Sequence, residues 1–306
     1  MAGPDVRRRR HRRLIVRLLV TGAGGQVGRE VVAVATAAGD DVLAADHGVL
    51  DVTDRDAVLG AVTTWRPDAV VHGAAWTAVD DCEADRPRAM TANAVAVRWV
   101  AEACARVGAH LVHVSTDYVF DGALERPYTE HDVTNPQSVY GASKLAGEHE
   151  AAMLGTGAAI ARTSWVNGEH GANMVKTVLR LTGGGDCGPS SLAFVDDQRG
   201  CPTFAADLAP MLRRLAVDRR GGVHHVTNQG AVSWYEFVGE VLRAAGLDPA
   251  IVRPITTADL DPPRPAPRPT NSVLDNTVLR DAGLPLLRDF RQPLAELVAR
   301  LHGRSQ

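Results

Sequence analysis

The chain has 306 residues, 45% hydrophobic and 23% charged, with a net charge of −3. That composition suits a globular chain with a sizeable core and excludes a disordered, collagenous or coiled-coil protein. No run of about 18 apolar residues is present to span a membrane, and Cys82, Cys104, Cys187 and Cys201 form no C-x-x-C pair, which excludes a disulfide scaffold or structural zinc site and points to the reducing cytoplasm.

In chain order the first feature is basic: residues 7–13 read RRRRHRR, and residues 1–13 are expected to form a disordered leader. Without residues 1–13, 27 basic residues face 35 acidic ones, a balance of −8. An acidic body gives no support to nucleic-acid binding. Strands are then predicted at Leu14–Thr21, Asp41–Ala45, Ala69–Gly73, His110–Ser115 and Ala158–Thr163. Helices are predicted between them at about 25–38, 54–65, 87–107 and 138–154. This alternation implies right-handed βαβ units and an α/β fold with a doubly wound parallel, Rossmann-like sheet. Beyond residue 165 the rhythm degrades. A glycine loop at Gly183–Gly185, short strands near Leu192–Val195 and Val223–Val226, helices at about 205–216 and 233–246, a proline-rich stretch at Pro262–Pro269 and two short helices follow. The expected division is a dinucleotide-binding domain of 14–165 plus about 196–228. About 166–195 plus 229–306 would then form a smaller C-terminal substrate lobe.

Residues 21–28 read TGAGGQVG, directly after the first strand and opening a helix. Gly22, Gly25 and Gly28 let backbone approach a pyrophosphate, and the helix N-terminus offers N–H groups and a positive dipole end. Asp46 closes the next strand, where an acid suits a ribose hydroxyl. Tyr140 and Lys144 stand four apart in VYGASKLAGE, hence on one helix face. A phenol titrates near 10 and a neighbouring ammonium is expected to bring it toward the working range. Lys144 and Lys176 are the only lysines among 33 basic residues, so a lysine here has a chemical reason. Ser115 and Thr116 end the fourth strand, where such sheets bind ligands; spacing does not decide between them.

TGAGGQVG, AAWTAVDDCE (74–83), STDYVFDG (115–122), VYGASKLAGE (139–148), RTSWV (162–166), VDDQRGCPTFAADLA (195–209), SWYEF (233–237) and RPTNSVLD (268–275) together resemble the dTDP-4-dehydrorhamnose reductases. These are extended short-chain dehydrogenase/reductases, and the resemblance spans about residues 14–300. It implies NADPH-dependent reduction of the C4 ketone of dTDP-4-dehydro-β-L-rhamnose, with NADH as a possible second cofactor. Thr116 would be the catalytic hydroxyl, Tyr140 the proton donor and Lys144 its partner. Gln26, Val27, Gly73, Ala74 and Ala75 would line the cofactor, with Asp51 and Val52 flanking the adenine. Asp117, Tyr118, Trp165, Arg268 and Asn271 would face the dTDP-4-keto-6-deoxysugar. No metal site is expected, adjacent His224 and His225 pointing to opposite strand faces; a homodimer stays open.

The chain departs from the family pattern at three places. His72-Gly73-Ala74 stands for Asn-Ala-Ala on the cofactor shelf, while Trp76 and Asn167 replace residues expected near the sugar pocket. Dehydratases of this superfamily carry Asp-Glu after the threonine. The pair here is Asp117-Tyr118, which removes the carboxylate that would take the C5 proton. The remaining alternatives are reduction of another dTDP-4-keto sugar, or a regulatory subunit similar to the β subunit of methionine adenosyltransferase. An intact Thr116, Tyr140 and Lys144 favours turnover.

Overall fold

The computed structural model describes residues 15–183 and 191–303. The basic leader, Leu14, most of the Gly183–Gly185 loop and Cys187 lie outside the described residues. Five strands, β1 (Arg17–Thr21), β2 (Asp41–Ala45), β3 (Ala69–His72), β4 (His110–Thr116) and β5 (Ala158–Thr163), join the edge strand Gly222–His225 in one sheet. The spatial order is 222–225, β5, β4, β3, β1, β2, and every neighbour pair is parallel. β3 and β5 are buried along their whole length, as expected of strands covered on both faces.

The strands return through α1 (Gln26–Ala37), α2 (Arg55–Trp65), α3 (Val79–Ala84), α4 (Arg86–Met90), α5 (Ala96–Val107) and α6 (Val139–Ala152). One face of the sheet packs on α1 and on α8 (Ala205–Val217), numbered after α7 (Met174–Thr182). The other packs on α2, α5 and α6. The helix expected at 87–107 is interrupted by a wide turn of i→i+5 type at Thr91–Val95, a feature frequent at functional sites. Within that turn Asn93 donates to Trp76 O and Ser143 Oγ and accepts from Trp76 N. The turn thus ties the loop after β3 to α6. Helix α3 was not expected from the sequence.

The C-terminal lobe gathers α7, α9 (Trp234–Ala244) and a final helix, Arg291–Gly303, around Phe204, Phe237 and Phe290. That last helix runs 13 residues where a short one was expected, because Leu294, Leu297, Val298 and Leu301 keep its apolar stripe continuous. Segments on the two sides of residue 228 are interleaved. Leu279, Leu284 and Leu287 pack into the core of the main sheet, beside α1 and α8. In the other direction, Arg199–Gly200 pairs with Val232–Ser233 in the lobe. The chain therefore crosses between the layers more often than the composition suggested.

A buried ion pair fastens α6 to the sheet. Arg162 on β5 donates from Nε and Nη2 to both Glu148 oxygens, at 2.9 and 2.7 Å, and Ser115 Oγ on β4 donates to Glu148 at 2.6 Å. Both charged side chains are almost fully enclosed. Removing one partner from such a pair leaves an uncompensated buried charge, which destabilises by about 3–5 kcal/mol. Glu148→Ala is expected to lose stability of that order in urea denaturation. The double change Glu148→Leu with Arg162→Met should recover most of it. A double variant as unstable as the single one would contradict this.

Candidate active site

Three connected cavities run along the C-terminal edge of the sheet. The first, about 810 Å3, is lined by Gly22, Gly25, Asp46, Asp51, Val52, Gly73, Ala74 and Ala75. A second, about 440 Å3, shares Gly22, Gly25, Gly73 and Ala75 with it and continues over Gln26, Val27 and Gly28 to Thr116, Asp117, Tyr118, Tyr140, Lys144 and Trp165. A third, about 250 Å3, adjoins the second at Tyr118 and Trp234 and is lined further by Phe194, Gln198, Arg264 and Arg268.

The glycine turn is built for close approach. Gly22 has φ +66°, and a Cβ there would lie 2.7 Å from Ala74 N; a Cβ on Gly28 would lie 2.2 Å from Gly22 O. Helix α1 begins after Gly25 with no side-chain cap, so its first N–H groups remain for an anion at the cavity wall. Asp46 Oδ1 accepts from the Gly48 and Val49 amides, and Asp51 accepts from Thr53, whose hydrogen bonds hold the Asp51 carboxyl below its ordinary value. His47 and Arg88 also line this cleft, with Arg88 over the Trp76 ring at 4.3 Å. The cleft fits a dinucleotide: small residues under a helix N-terminus, and an acid beside the ribose position.

Ser138 caps α6 by accepting from Gly141 N, and the helix presents Tyr140 and Lys144 to the second cavity. The Ser115 hydroxyl is spent on Glu148 inside the protein. The Thr116 hydroxyl, by contrast, donates to Asp117 Oδ1 at 2.9 Å and accepts from Tyr118 N. The two hydroxyls thus differ in partner: Ser115 serves the buried Glu148–Arg162 pair, and Thr116 serves Asp117 at the cavity wall. Lys144 Nζ donates to Val114 O at 2.7 Å and lies 3.5 Å from His113 Nε2. Burial pulls its pKa to about 8, with Glu148 opposing.

The phenol of Tyr140 does not behave as the four-residue spacing suggested. Burial pushes its pKa well above 10, the Asp117 carboxylate pushes the same way, and hydrogen bonding with Thr116 pulls back. Lys144 donates to strand β4, and Tyr140 keeps its proton because burial disfavours the phenolate. Asp117 is itself raised to about 6, chiefly by burial, with hydrogen bonds from Ser272 and Thr116 opposing.

Trp165 carries φ +45° and stacks on Trp234 with ring centres 3.6 Å apart and planes within 6°. Arg268 sits in the third cavity and not beside Thr116, Tyr140 and Lys144: it donates to both Asp80 oxygens, at 2.5 and 2.7 Å. Asn271 is a correction. Its amide donates to Leu124 O and Arg126 O, its oxygen accepts from Val273 N, and it lines a separate depression beside Gly122–Pro127. Asn167 is likewise buried, bonded to Trp165 O and Val175 N, and Trp76 faces the first cleft and not the sugar cavity. Sequence reading missed Trp234, Arg264, Gln198, Asn93 and His113. SWYEF carried a signal for Trp234 and VDDQRGCPTFAADLA one for Gln198; the others became visible only through tertiary contacts.

Residues 16–302 match the RmlD substrate binding domain family. The chain belongs to that family. It is 43% identical over 295 residues to a dTDP-4-dehydrorhamnose reductase of Streptomyces griseus, covering 94% of this chain and 95% of the relative. It is equally 43% identical, over 285 residues, to a probable dTDP-4,6-dihydroxy-2-methyloxan-3-one 4-ketoreductase of Streptomyces antibioticus, covering 92% and 94%. The crystal structure of dTDP-4-dehydrorhamnose reductase from Bacillus anthracis in complex with NADP superposes with a TM-score of 0.88. It is 35% identical, with 94% of this chain and 100% of that chain covered.

The raised carboxyl of Asp117 has a stability consequence. Its favourable state is the protonated one, so its contribution is whole below pH about 4 and is lost as pH climbs through about 6. Asp117→Asn removes that loss. The variant is expected to melt with wild type at pH 4 and to exceed it above pH 7 by on the order of 2–3 kcal/mol. A gap that does not change with pH would contradict the buried-carboxyl reading.

Proposed function

We propose that this protein reduces the C4 ketone of dTDP-4-dehydro-β-L-rhamnose to dTDP-L-rhamnose, with NADPH as reductant and NADH also accepted. The observation that carries the reading is the convergence of Thr116, Tyr140 and Lys144 where the dinucleotide cleft opens into the aromatic cavity. The family supports the substrate class, and the NADP complex of the Bacillus anthracis relative supports the cofactor. The sheet layer would hold the dinucleotide and the C-terminal lobe the nucleotide-sugar. Arg264 and Arg268 suit the diphosphate as paired cations, and Phe194 and Trp234 offer apolar faces for the base.

When bound, the nicotinamide supplies a hydride to the carbonyl carbon. Tyr140 donates its phenolic proton to the former carbonyl oxygen, and its elevated pKa keeps that proton in place at neutral pH. The Thr116 hydroxyl, which donates to Asp117 in the substrate-free protein, would turn that single donor to the same oxygen as negative charge develops there. Lys144 presents its remaining donors to the cavity, where a cation stabilises the phenolate left on Tyr140. Tyr118 stands where a dehydratase needs a carboxylate, and burial raises its phenol to about 12, so it does not act as a base at C5. A second reading has its own support: the equal identity to the Streptomyces antibioticus ketoreductase admits reduction of another dTDP-4-keto-6-deoxysugar by the same residues. A purely regulatory subunit would not need the complete trio. Cys82, Cys104 and Cys201 are buried free thiols, in keeping with a reducing cytoplasm.

General acid catalysis contributes about 10²–10⁴-fold. Tyr140→Phe should therefore lower kcat at least about 100-fold while the dissociation constant for NADPH stays within a few-fold of wild type. Near-normal turnover by that variant would overturn the assignment.

A further inference from the structure

The histidines beneath Lys144 are not explained by packing. Thr21, His72 and His113 are register neighbours across β1, β3 and β4, and both histidines are fully buried. His72 Nδ1 lies 2.7 Å from Thr21 Oγ1, and its ring stacks on His113 with centres 5.5 Å apart. His72 Nε2 and His113 Nδ1 have no hydrogen-bond partner among the described residues. Burying an imidazole with an unmatched nitrogen is unfavourable, and Leu or Phe would fill the same space without that penalty. What His113 offers that a hydrocarbon does not is an acceptor 3.5 Å from Lys144 Nζ.

We propose that His113 is a positioning residue for Lys144: its Nε2 and the Val114 carbonyl together fix two of the three ammonium donors, which directs the third into the catalytic cavity. His72 stacks behind His113 and holds the ring in place, anchored by Thr21. The acceptor must be neutral. Burial and the Lys144 cation both keep His72 and His113 uncharged, His72 at about 3 and His113 well below its ordinary value. The groups that face Lys144 are His113 from β4, His72 behind it on β3, and Glu148 from α6, the last already paired with Arg162 of β5. A carboxylate at position 113 would neutralise the ammonium, whereas an imidazole orients it and leaves its charge for the phenolate. This deepens the proposed reductase reading and rests on it for its catalytic meaning.

The chain has only two lysines, so Cε-labelled lysine gives two NMR signals, and Lys144 titrates in the substrate-free protein with Lys176 as internal control. His113→Met should lower the Lys144 titration by about one pH unit, the size of one hydrogen bond to a charged group. In that variant the alkaline limb of kcat should move down by the same amount. His113→Gln, which restores an acceptor, should return both toward wild type. Equal behaviour of Met and Gln variants, whether both normal or both impaired, would overturn the proposal. Imidazole nitrogen shifts of the unaltered protein provide a test that does not depend on a variant folding. Nε2 of His113 must be unprotonated throughout the active range, and a protonated Nε2 would also overturn it. Failure of wild type to oxidise NADPH with the dTDP-keto sugar would instead count against the reductase reading and leave these titrations interpretable.

Discussion

The attachment of helix α6 to strands β4 and β5 is the constraint on which the site depends. Glu148 sits one helical turn beyond Lys144 and is clamped by Arg162 from one strand and Ser115 from the next. Ser115 precedes Thr116, so one carboxylate sets the height of the helix against the strand that carries the hydroxyl proposed to hold the substrate oxygen. Asn93 does the same from the opposite side, joining the loop after β3 to Ser143 on α6. With the helix held at both places, Tyr140, Lys144 and Thr116 can meet at a single cavity. Buried charge is a poor source of net stability, but a well-matched pair leaves one arrangement far better than its neighbours.

The low dielectric that makes this clamp specific also sets the acid–base character of the site. Burial raises Asp117 and Tyr140 and lowers Lys144, in each case favouring the uncharged form. A phenol that keeps its proton in a cavity shared with a cation of reduced pKa suits proton donation to a carbonyl oxygen that gains charge. The chain accepts a destabilising carboxyl at Asp117 in exchange for an oriented Thr116.

Much of the sheet was legible in the sequence. β2 and β5 fall on the limits that their β-branched and small apolar runs suggest, since continuous apolar strands between helical stretches admit few other arrangements. The glycine turn and the Tyr140–Lys144 face were legible because both are local in sequence. What was not legible depends on distant contacts. Leu279, Leu284 and Leu287 return to the main sheet from the short segment after the proline-rich stretch, too short to carry a periodic signal. Asn271 turns away from the cavity because three backbone groups claim its amide. The wide turn at Thr91–Val95 has no composition of its own, and helix spacing says nothing of the Val114 carbonyl that engages Lys144.

Hydride transfer from the nicotinamide to C4 of a dTDP-4-keto-6-deoxysugar is the reaction proposed for the cavity that joins the dinucleotide cleft to the C-terminal lobe. It is tested most directly by incubating the protein with dTDP-4-dehydrorhamnose and NADPH deuterated at nicotinamide C4, then locating the label by NMR. The expected product is dTDP-L-rhamnose carrying one deuterium at C4, formed in step with NADPH consumed by wild type and not by Tyr140→Phe. Label at any other carbon, or no consumption of NADPH by wild type, would contradict it.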